Sequence, residues 1–149
     1  RMLAGAGRGD SWTVASLCTE GVIPARFMPG LGQWAGWPHI IFTPDFTGYG
    51  WFFVKGGVVN IGIGSAGATG RDVRARLNRM LGLLRQRGIM PEGLTNELPA
   101  FRGHFYKLYG RMPRRIYTDR LILAGDAAGL ASPFSGEGIG PAIQSGQLA

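Results

Sequence analysis

The sequence LILAGDAAGLASPFSGEGIGPAIQSG, residues 121–146, carries the most structural information in the chain. The stretch Arg120–Ala124 (RLILA) overlaps the start of this segment and predicts a short buried strand. Its residues after Arg120 are apolar without alternation, as in a parallel strand that is covered on both faces. A Gly-Asp pair follows at 125–126, and a second loop, residues 133–138, leads through Pro141 into an apolar pattern typical of a helix. This order of strand, turn, loop and helix predicts part of an open α/β sheet.

Asp126 is predicted to lie at the carboxyl end of that strand, where ligands of open α/β sheets bind. A carboxylate there accepts hydrogen bonds from the hydroxyls of a sugar or sugar alcohol, and small residues such as Ala127 leave it accessible. Gly136, Gly138 and Gly140 let the backbone approach a flat ring, with N–H groups at a helix start that favours negative charge. The pattern therefore predicts a site for a polyhydroxylated, anionic cofactor.

The segment GDAAG…SPFSGEGI closely resembles the second flavin-binding motif of FAD-dependent oxidoreductases of the p-hydroxybenzoate hydroxylase and geranylgeranyl reductase type. In that family the aspartate contacts the ribityl chain, and the glycine-rich loop lies along the isoalloxazine ring. The resemblance implies FAD as the cofactor, with NAD(P)H or another electron donor. The cofactor-binding residues that it implies are Gly125, Asp126, Ala127, Pro133, Gly136, Glu137, Gly138 and Ile139.

The strongest hairpin signal lies earlier, where Tyr49–Lys55 (YGWFFVK) and Val58–Gly64 (VVNIGIG) flank the pair Gly56-Gly57. Two glycines suit a primed two-residue turn because both central residues need positive φ, so we expect an antiparallel pair of strands. Alternate residues of a strand share one face, which places Tyr49, Trp51 and Phe53 side by side.

This hairpin resembles a substrate-domain strand of geranylgeranyl reductases, written P-x-x-Y-x-W-x-F-P, together with the strand that follows it. Phe46 and Val54 occupy the places of the two flanking prolines. The resemblance implies that Tyr49, Trp51 and Phe53 form an aromatic wall beside an isoprenoid or other apolar substrate. The alternative, equally open, is that this face belongs to the core of the sheet.

An amphipathic helix is predicted over Thr69–Arg87, followed by a capping Gly88. Its apolar residues fall on one face: Val73, Leu77, Met80, Leu81 and Leu84. The arginines at 71, 74, 76 and 79 line the other side, where a solvated surface is the simplest interpretation. Further strands are predicted at Trp12–Cys18, His39–Phe42 and His104–Tyr109.

Composition narrows the class of protein. The 149 residues allow one ordinary domain, and 45% hydrophobic against 17% charged residues exclude intrinsic disorder. The single cysteine, Cys18, cannot form an internal disulfide, which favours a reducing compartment. No apolar run approaches the roughly 18 residues that span a bilayer. The sequence therefore predicts a cytoplasmic protein. Because its net charge is +7, peripheral contact with an anionic membrane is an open possibility.

The sequence opens on Arg1, and an apolar helical pattern continues to Ala149, so we expect a piece of a longer protein. The stretch Gly5–Gly9 has no strand before it and no helix after it, and it is predicted to be a loop. We expect residues 1–117 to belong to a substrate-binding domain and residues 118–149 to the truncated C-terminal part of an FAD-binding domain. The predicted fold class is mixed α/β, with an antiparallel substrate-domain sheet and the last strand and helix start of a Rossmann-like domain.

The resemblance implies a flavin-dependent oxidoreductase that reduces carbon–carbon double bonds of a prenyl chain, with FAD as hydride carrier. One alternative is an FAD-dependent monooxygenase or halogenase acting on an aromatic or apolar small molecule. Another is a basic binding module with a vestigial flavin motif. No catalytic residue and no metal ligand is predicted, because His39, His104 and Cys18 lack the partners that a triad or metal site requires.

The segment Phe101–Arg115 interleaves aromatic and basic residues, a pattern that single-strand nucleic-acid binders also show. Beside the flavin motif, we interpret it as a linker, or as a basic rim that meets the phosphates of NAD(P)H, a diphosphate substrate or an anionic lipid. The expected partner is therefore an apolar or isoprenoid small molecule and not a nucleic acid.

Overall fold

The computed structural model describes residues 12–34, 36–110 and 115–149. The predicted loop at Gly5–Gly9 and residues 111–114 of the basic segment lie outside the described residues. In chain order, the helices and strands are β1 (Thr13–Val22), α1 (Met28–Leu31), β2 (His39–Phe42), β3 (Gly48–Lys55), β4 (Val58–Ala66), α2 (Gly70–Gln86), β5 (Arg102–Lys107), β6 (Tyr117–Thr118), β7 (Leu121–Ile122) and α3 (Ile139–Leu148).

Two compact units are defined by contacts within the chain. The first, here called the sheet unit, comprises Ser16–Ser65 and Gly70–His104. The second, here called the motif unit, comprises the described residues of Trp12–Ala15, Ala66–Thr69 and Phe105–Ala149. The predicted domain boundary at residue 117 stays a prediction.

Strands β1 to β5 form one sheet in the order β2-β3-β4-β1-β5. The pairs β2–β3 and β3–β4 are antiparallel. Gly56 and Gly57 connect β3 to β4 with φ angles of 58° and 79°, the positive values that a primed turn requires. The predicted hairpin is confirmed.

The core of the sheet unit lies between α2 and one face of β3 and β4. Phe52 and Val54 of β3 are buried, and their β4 partners in the register, Ile61 and Val59, are buried too. The buried residues of α2 are Val73, Leu77, Met80, Leu81 and Leu84, as the helical periodicity predicts. The helix meets the sheet at Gly50, where a Cβ would overlap the sulfur of Met80.

Arg76 of α2 holds the turn between β2 and β3. Its Nη1 and Nη2 atoms donate to the two carboxylate oxygens of Asp45, at 2.9 and 2.8 Å. Thr47 donates its hydroxyl to the same carboxylate at 2.9 Å. These bonds, that of Arg76 first, hold the pKa of the Asp45 carboxyl well below its ordinary value of 3.8. The adjacent Phe46 has φ 53°, which is uncommon for a residue other than glycine.

The motif unit has a small core of its own. Val14, Leu108 and Ala131 are buried there, and Trp12, Ala66 and Tyr106 pack against them. Leu108 and Ala131 form an isolated parallel bridge, and the N–H of Tyr109 donates to the Ala131 carbonyl at 2.6 Å. This core anchors Ala131, which lies in the middle of the segment that carries the predicted flavin motif.

The strand predicted at Arg120–Ala124 differs from the expectation. Strand β7 has two residues, Leu121 and Ile122, which are 59% and 49% exposed, and it pairs antiparallel with β6. The prediction of a buried parallel strand is therefore wrong for the part of the chain that the structure describes. The physical reason is that, among the described residues, β7 belongs to a two-stranded sheet that leaves its side chains exposed, and apolar composition does not reveal what covers a strand.

The mixed α/β fold class with antiparallel strand pairing is confirmed. Among residues 12–34, 36–110 and 115–149, no helix has both the length and the apolar character needed to cross a membrane.

Candidate functional site

Asp126 lies in a 3-10 turn, Gly125–Ala128, that begins three residues after β7. The turn is fixed at its first residue, since the N–H of Gly125 donates to the Ser145 hydroxyl at 2.9 Å. Ser145 in turn donates to the carbonyl of Pro141 at 2.7 Å, which ties the turn to α3. Gly125 has φ 54° and lies against Ala142, where a Cβ would approach the Ala142 Cβ to 3.0 Å. The backbone is thus held while Asp126 itself is exposed.

The glycine-rich loop closes on itself through its own backbone. The N–H of Ser132 donates to the Glu137 carbonyl at 2.7 Å, and the N–H of Gly136 donates to the Ser132 carbonyl at 2.8 Å. Gly136 has φ 70°, a left-handed conformation that favours glycine. The loop is therefore ordered without support from apolar burial, and Phe134 at its tip is 99% exposed.

Glu137 supplies a negative charge at the start of α3. Its Oε1 atom accepts a hydrogen bond from the N–H of Gly140 at 2.6 Å. A carboxylate is stabilised there by the helix dipole and by the unpaired N–H groups of the first turn. The N–H of Gly140 is one of the groups predicted to attract an anion at this helix start. In the structure it is bonded to the Glu137 carboxylate.

Asp126 and the glycine-rich loop come together at Gly138. A Cβ placed on Gly138 would lie 3.0 Å from the Oδ1 atom of Asp126. The absence of a side chain at 138 thus lets the carboxylate and the start of α3 approach each other. Of the other predicted cofactor-binding residues, Ala127 and Pro133 are exposed, and Ile139 is 75% exposed at the first position of α3.

Residues with these properties suit a flavin. An exposed carboxylate accepts hydrogen bonds from the hydroxyls of a ribityl chain, and glycines without a Cβ leave the backbone open to a planar ring. The exposed positions of Asp126, Ala127 and Pro133 leave this side of the motif unit accessible.

Tyr106 is a contact that sequence reasoning missed. Its hydroxyl donates to the carbonyl of Gly136 at 3.1 Å and so holds the glycine-rich loop at β5. A Cβ on Gly136 would lie 3.1 Å from the same hydroxyl. The signal for this residue is weak, because Tyr106 is one of several aromatic residues between cations in a segment without a clear period.

The sheet unit carries an aromatic face on the side of β3 opposite to its core. We define it as Ile40, Phe42, Tyr49, Trp51 and Phe53, where the register pairs Ile40 with Trp51 and Phe42 with Tyr49. The ring centroids of Tyr49 and Trp51 are 6.1 Å apart, and those of Phe42 and Tyr49 are 6.3 Å apart. Tyr49, Trp51 and Phe53 share one face of β3 as predicted, because they alternate with the buried residues Phe52 and Val54. The face that they share is not the one packed on α2.

Trp51 is fixed on the aromatic face by residues of two other strands. Its Nε1 atom donates to Asn60 Oδ1 at 2.6 Å, and Asn60 Nδ2 donates to Glu20 Oε2 at 2.7 Å. The indole lies against Gly62, where a Cβ would overlap the ring. Sequence reasoning missed Asn60, although a signal exists, because it is the one amide in the otherwise apolar and small-residue strand VVNIGIG.

The remaining chemically interesting side chains lie elsewhere. His39 packs between the rings of Trp34 and Phe52, with centroid separations of 5.2 and 6.2 Å. Cys18 is a half-buried free thiol of β1.

The fold is a mixed α/β one that occurs in a solved reductase-like protein. The structure is similar to a geranylgeranyl bacteriochlorophyll reductase-like protein from Thermoplasma acidophilum, with a TM-score of 0.57 and 23% identity. The similarity covers 91% of this chain and 32% of the other. At this identity the likeness concerns the fold alone, and it agrees with the predicted fold class. No protein-family model matches the chain.

Several curated proteins are similar to this chain in sequence. A digeranylgeranylglycerophospholipid reductase of Methanocaldococcus jannaschii is 33% identical over 103 residues, which is 68% of this chain and 25% of that protein. A geranylgeranyl diphosphate reductase of Rhodobacter capsulatus is 32% identical over 111 residues, 72% of this chain and 25% of that protein. A menaquinone reductase of Mycolicibacterium smegmatis is 32% identical over 103 residues, 68% of this chain and 25% of that protein.

The predicted resemblance to geranylgeranyl reductases is therefore confirmed, as a similarity to one segment of these proteins. The chain spans about a quarter of the length of the curated relatives it matches. All three relatives are named as reductases, and their names give different substrates.

Proposed function

We propose that this chain is part of a flavin-dependent reductase that acts on carbon–carbon double bonds of a prenyl chain. The observation that carries the proposal is the approach of the Asp126 carboxylate to Gly138 at the start of α3. The same chain holds an aromatic face whose Tyr49, Trp51 and Phe53 match the reductase strand motif. The names of the similar proteins support the same class of reaction.

FAD is the proposed cofactor, and Asp126 is the proposed acceptor for its ribityl hydroxyls. Gly136 and Gly138 would let the backbone lie close to the ring, and Gly125, Ala127, Pro133, Glu137 and Ile139 would complete the contact surface. A bound reduced flavin supplies a hydride, and the electrons would come from NAD(P)H or another donor. This chain's own contribution is to bind and orient the cofactor.

The aromatic face is the proposed binding surface for the apolar substrate. A prenyl chain has no hydrogen-bonding groups along its length, so affinity must come from apolar area removed from water. Tyr49, Trp51 and Phe53 offer rigid rings for this purpose at little cost in conformational entropy. Excluding water from such a surface would also protect a hydride acceptor from competing reactions.

The test uses the whole protein purified with its native cofactor. We expect yellow flavin absorption to co-elute with the protein in gel filtration. Under anaerobic conditions, we expect the reduced protein to reduce the carbon–carbon double bonds of geranylgeranyl diphosphate. Retained flavin with oxygen-dependent hydroxylated products instead would identify a monooxygenase. Absence of flavin after incubation with excess FAD would overturn the proposal.

A variant of Trp51 then separates a substrate surface from a packed core. Trp51→Phe is expected to change which prenyl length is reduced and to leave the melting temperature nearly unchanged, because the ring lies on the face of β3 opposite to the core. A large drop in melting temperature with an unaltered length preference would assign Trp51 to core packing instead.

A further inference from the structure

A chain of side-chain hydrogen bonds crosses three neighbouring strands of the sheet and ends on Trp51. Glu20 belongs to β1, Asn60 to β4 and Trp51 to β3, and these strands are adjacent in the order β3-β4-β1. Asn60 accepts from the indole N–H at 2.6 Å and donates to the Glu20 carboxylate at 2.7 Å. The Asn60 side chain thus links two residues, with its Oδ1 atom bonded to Trp51 and its Nδ2 atom bonded to Glu20.

The other side of the indole is set by Gly62. In the register, Gly62 lies directly opposite Trp51, and Asn60 lies opposite Phe53. A Cβ on Gly62 would overlap the indole ring. The ring therefore lies flat across the strand at Gly62, while its N–H edge is tied to Asn60.

The contacts with Asn60 and Gly62 restrict the orientation of the indole. A tryptophan on an open sheet face has several staggered rotamers, and a half-buried indole N–H needs only one acceptor, which water can provide. An amide within an apolar strand lowers the area available for packing. A carboxylate behind the amide strengthens the indole bond, since a charged acceptor polarises the amide that links them. The arrangement favours one ring orientation over the alternatives.

We propose that Asn60 and Glu20 are positioning residues that hold the Trp51 indole flat over Gly62, and that this orientation determines which prenyl chain length binds best. The inference rests on the proposed function of the aromatic face. A flat ring leaves the surface above β4 open to a long chain, whereas a ring released from Asn60 can stand away from the sheet and obstruct it. Neither residue needs to touch the substrate.

The first measurement concerns the indole itself and needs no substrate. In the whole protein, the N–H resonance of Trp51, assigned by its loss in Trp51→Phe, is expected to exchange slowly with solvent. Asn60→Leu should accelerate that exchange, and Glu20→Gln should preserve it, because a glutamine oxygen still accepts from Asn60. Unchanged exchange in Asn60→Leu would overturn the positioning role.

The second measurement is equilibrium binding of two probes, geranylgeranyl diphosphate and farnesyl diphosphate, by calorimetry. Asn60→Leu is expected to weaken the longer probe about three- to tenfold relative to the shorter one, the effect of losing one hydrogen bond. Glu20→Ala should have a smaller effect in the same direction, and Glu20→Gln should restore the native ratio. An unchanged ratio in Asn60→Leu, with a faster-exchanging indole, would overturn the specificity role.

Two comparisons exclude a general structural effect. Adding Asn60→Leu to Trp51→Phe should produce no further change in the ratio, because Asn60 acts through the indole N–H. Gly82→Ala in α2, where a Cβ meets no atom within 4 Å, should leave the ratio unchanged. If the unmutated protein binds neither probe, the proposed function fails, and that result is read before any variant is made.

Discussion

The sheet unit and the motif unit are stabilised in different ways. In the sheet unit, Phe52 and Leu77 are at most 1% exposed, and a continuous apolar face of α2 covers the sheet. In the motif unit, the segment after β7 is held mainly by backbone and hydroxyl hydrogen bonds, and Phe134 and Ile139 remain exposed.

This difference predicts that substitutions in the two units have different effects. Apolar burial stabilises the first unit, so substitutions of its buried residues are expected to lower the free energy of unfolding. Local hydrogen bonds and glycine conformations hold the exposed segment after β7 in the second unit, so substitutions in that segment are expected to change the affinity for the proposed FAD more than the stability. A substitution in the core loses buried apolar area and therefore stability. A substitution of an exposed polar group in a loop removes a group that is available for binding.

The largest effect is expected in the sheet unit. Leu77→Ala removes a side chain that is 1% exposed on α2 and should lower the free energy of unfolding by about 2–5 kcal/mol, through lost burial and the cavity left behind. Urea denaturation measures the change. The matched variant is Leu83→Ala on the same helix, at a residue 41% exposed, and it should cost less than about 1 kcal/mol. Equal losses in both variants would contradict the assignment of the core.

A smaller effect, on a different quantity, is expected in the motif unit. Asp126→Ala should weaken FAD binding to the whole protein by about 1.5–3 kcal/mol, the range for a hydrogen bond to a charged group. Its unfolding midpoint should hardly change because Asp126 is exposed. Flavin fluorescence titration gives the affinity. Asp119→Ala, at an exposed carboxylate in the β6–β7 turn, is the control, and an unchanged affinity in Asp126→Ala would remove Asp126 from the cofactor site.

Tyr106→Phe should have an effect of about 0.5–1.5 kcal/mol, because it deletes one hydroxyl. The lost bond to the Gly136 carbonyl loosens the glycine-rich loop, so FAD affinity should fall while the ring packing in the small core is retained. Visible circular dichroism of the bound flavin reports the loop directly. Tyr117→Phe, at a residue 62% exposed, is the control. Native affinity and an unchanged spectrum in Tyr106→Phe would show that the bond does not position the loop.

The smallest effect is electrostatic and belongs to the sheet unit. The pKa of Asp45 is depressed in the folded chain, chiefly by Arg76, so the unfolded chain binds more protons below the ordinary value of 3.8. The contribution of the pair is therefore present above that pH and is lost as the pH falls further. The magnitude is small because both side chains contact solvent.

Urea midpoints measured at pH 7 and at acidic pH test this contribution. Arg76→Leu should show a smaller loss of stability on acidification than the unmutated chain, since the variant lacks the largest cause of the lowered pKa of Asp45. Arg74→Leu, at an exposed arginine of the same helix, should behave like the unmutated chain. A steeper acid dependence in Arg76→Leu would reverse the sign of the argument.

Two features of the sheet unit follow from local sequence rules. The five buried residues of α2 match the helical period, and Gly56-Gly57 forms the turn because few other residues accept two positive φ angles. The exposure of β7 does not follow, because the apolar composition of Leu121 and Ile122 carries no information about what covers them. A local pattern reports an element and not its neighbours.

Contacts between distant residues account for the rest. Asn60 reaches Glu20 across 40 positions, and Tyr106 reaches Gly136 across 30 positions. Neither pairing leaves a periodic trace in the sequence, because each joins single polar atoms on separate elements. The proposed roles of Asp126 and the glycine-rich loop rest on a family resemblance, and the structure adds the proximity of Asp126 to Gly138.

The strand order has a consequence for biosynthesis. Strand β1 lies between β4 and β5 in the sheet, although it is made before both. The hydrogen bond from the Ser16 hydroxyl to the His104 carbonyl spans 88 residues, whereas the β3–β4 hairpin needs only its own two-residue turn. A local hairpin closes within about 1–10 μs, while a ribosome adds about 5–20 residues per second. Strand β1 must therefore wait for seconds without its partners during translation, and its apolar residues are then available to chaperones.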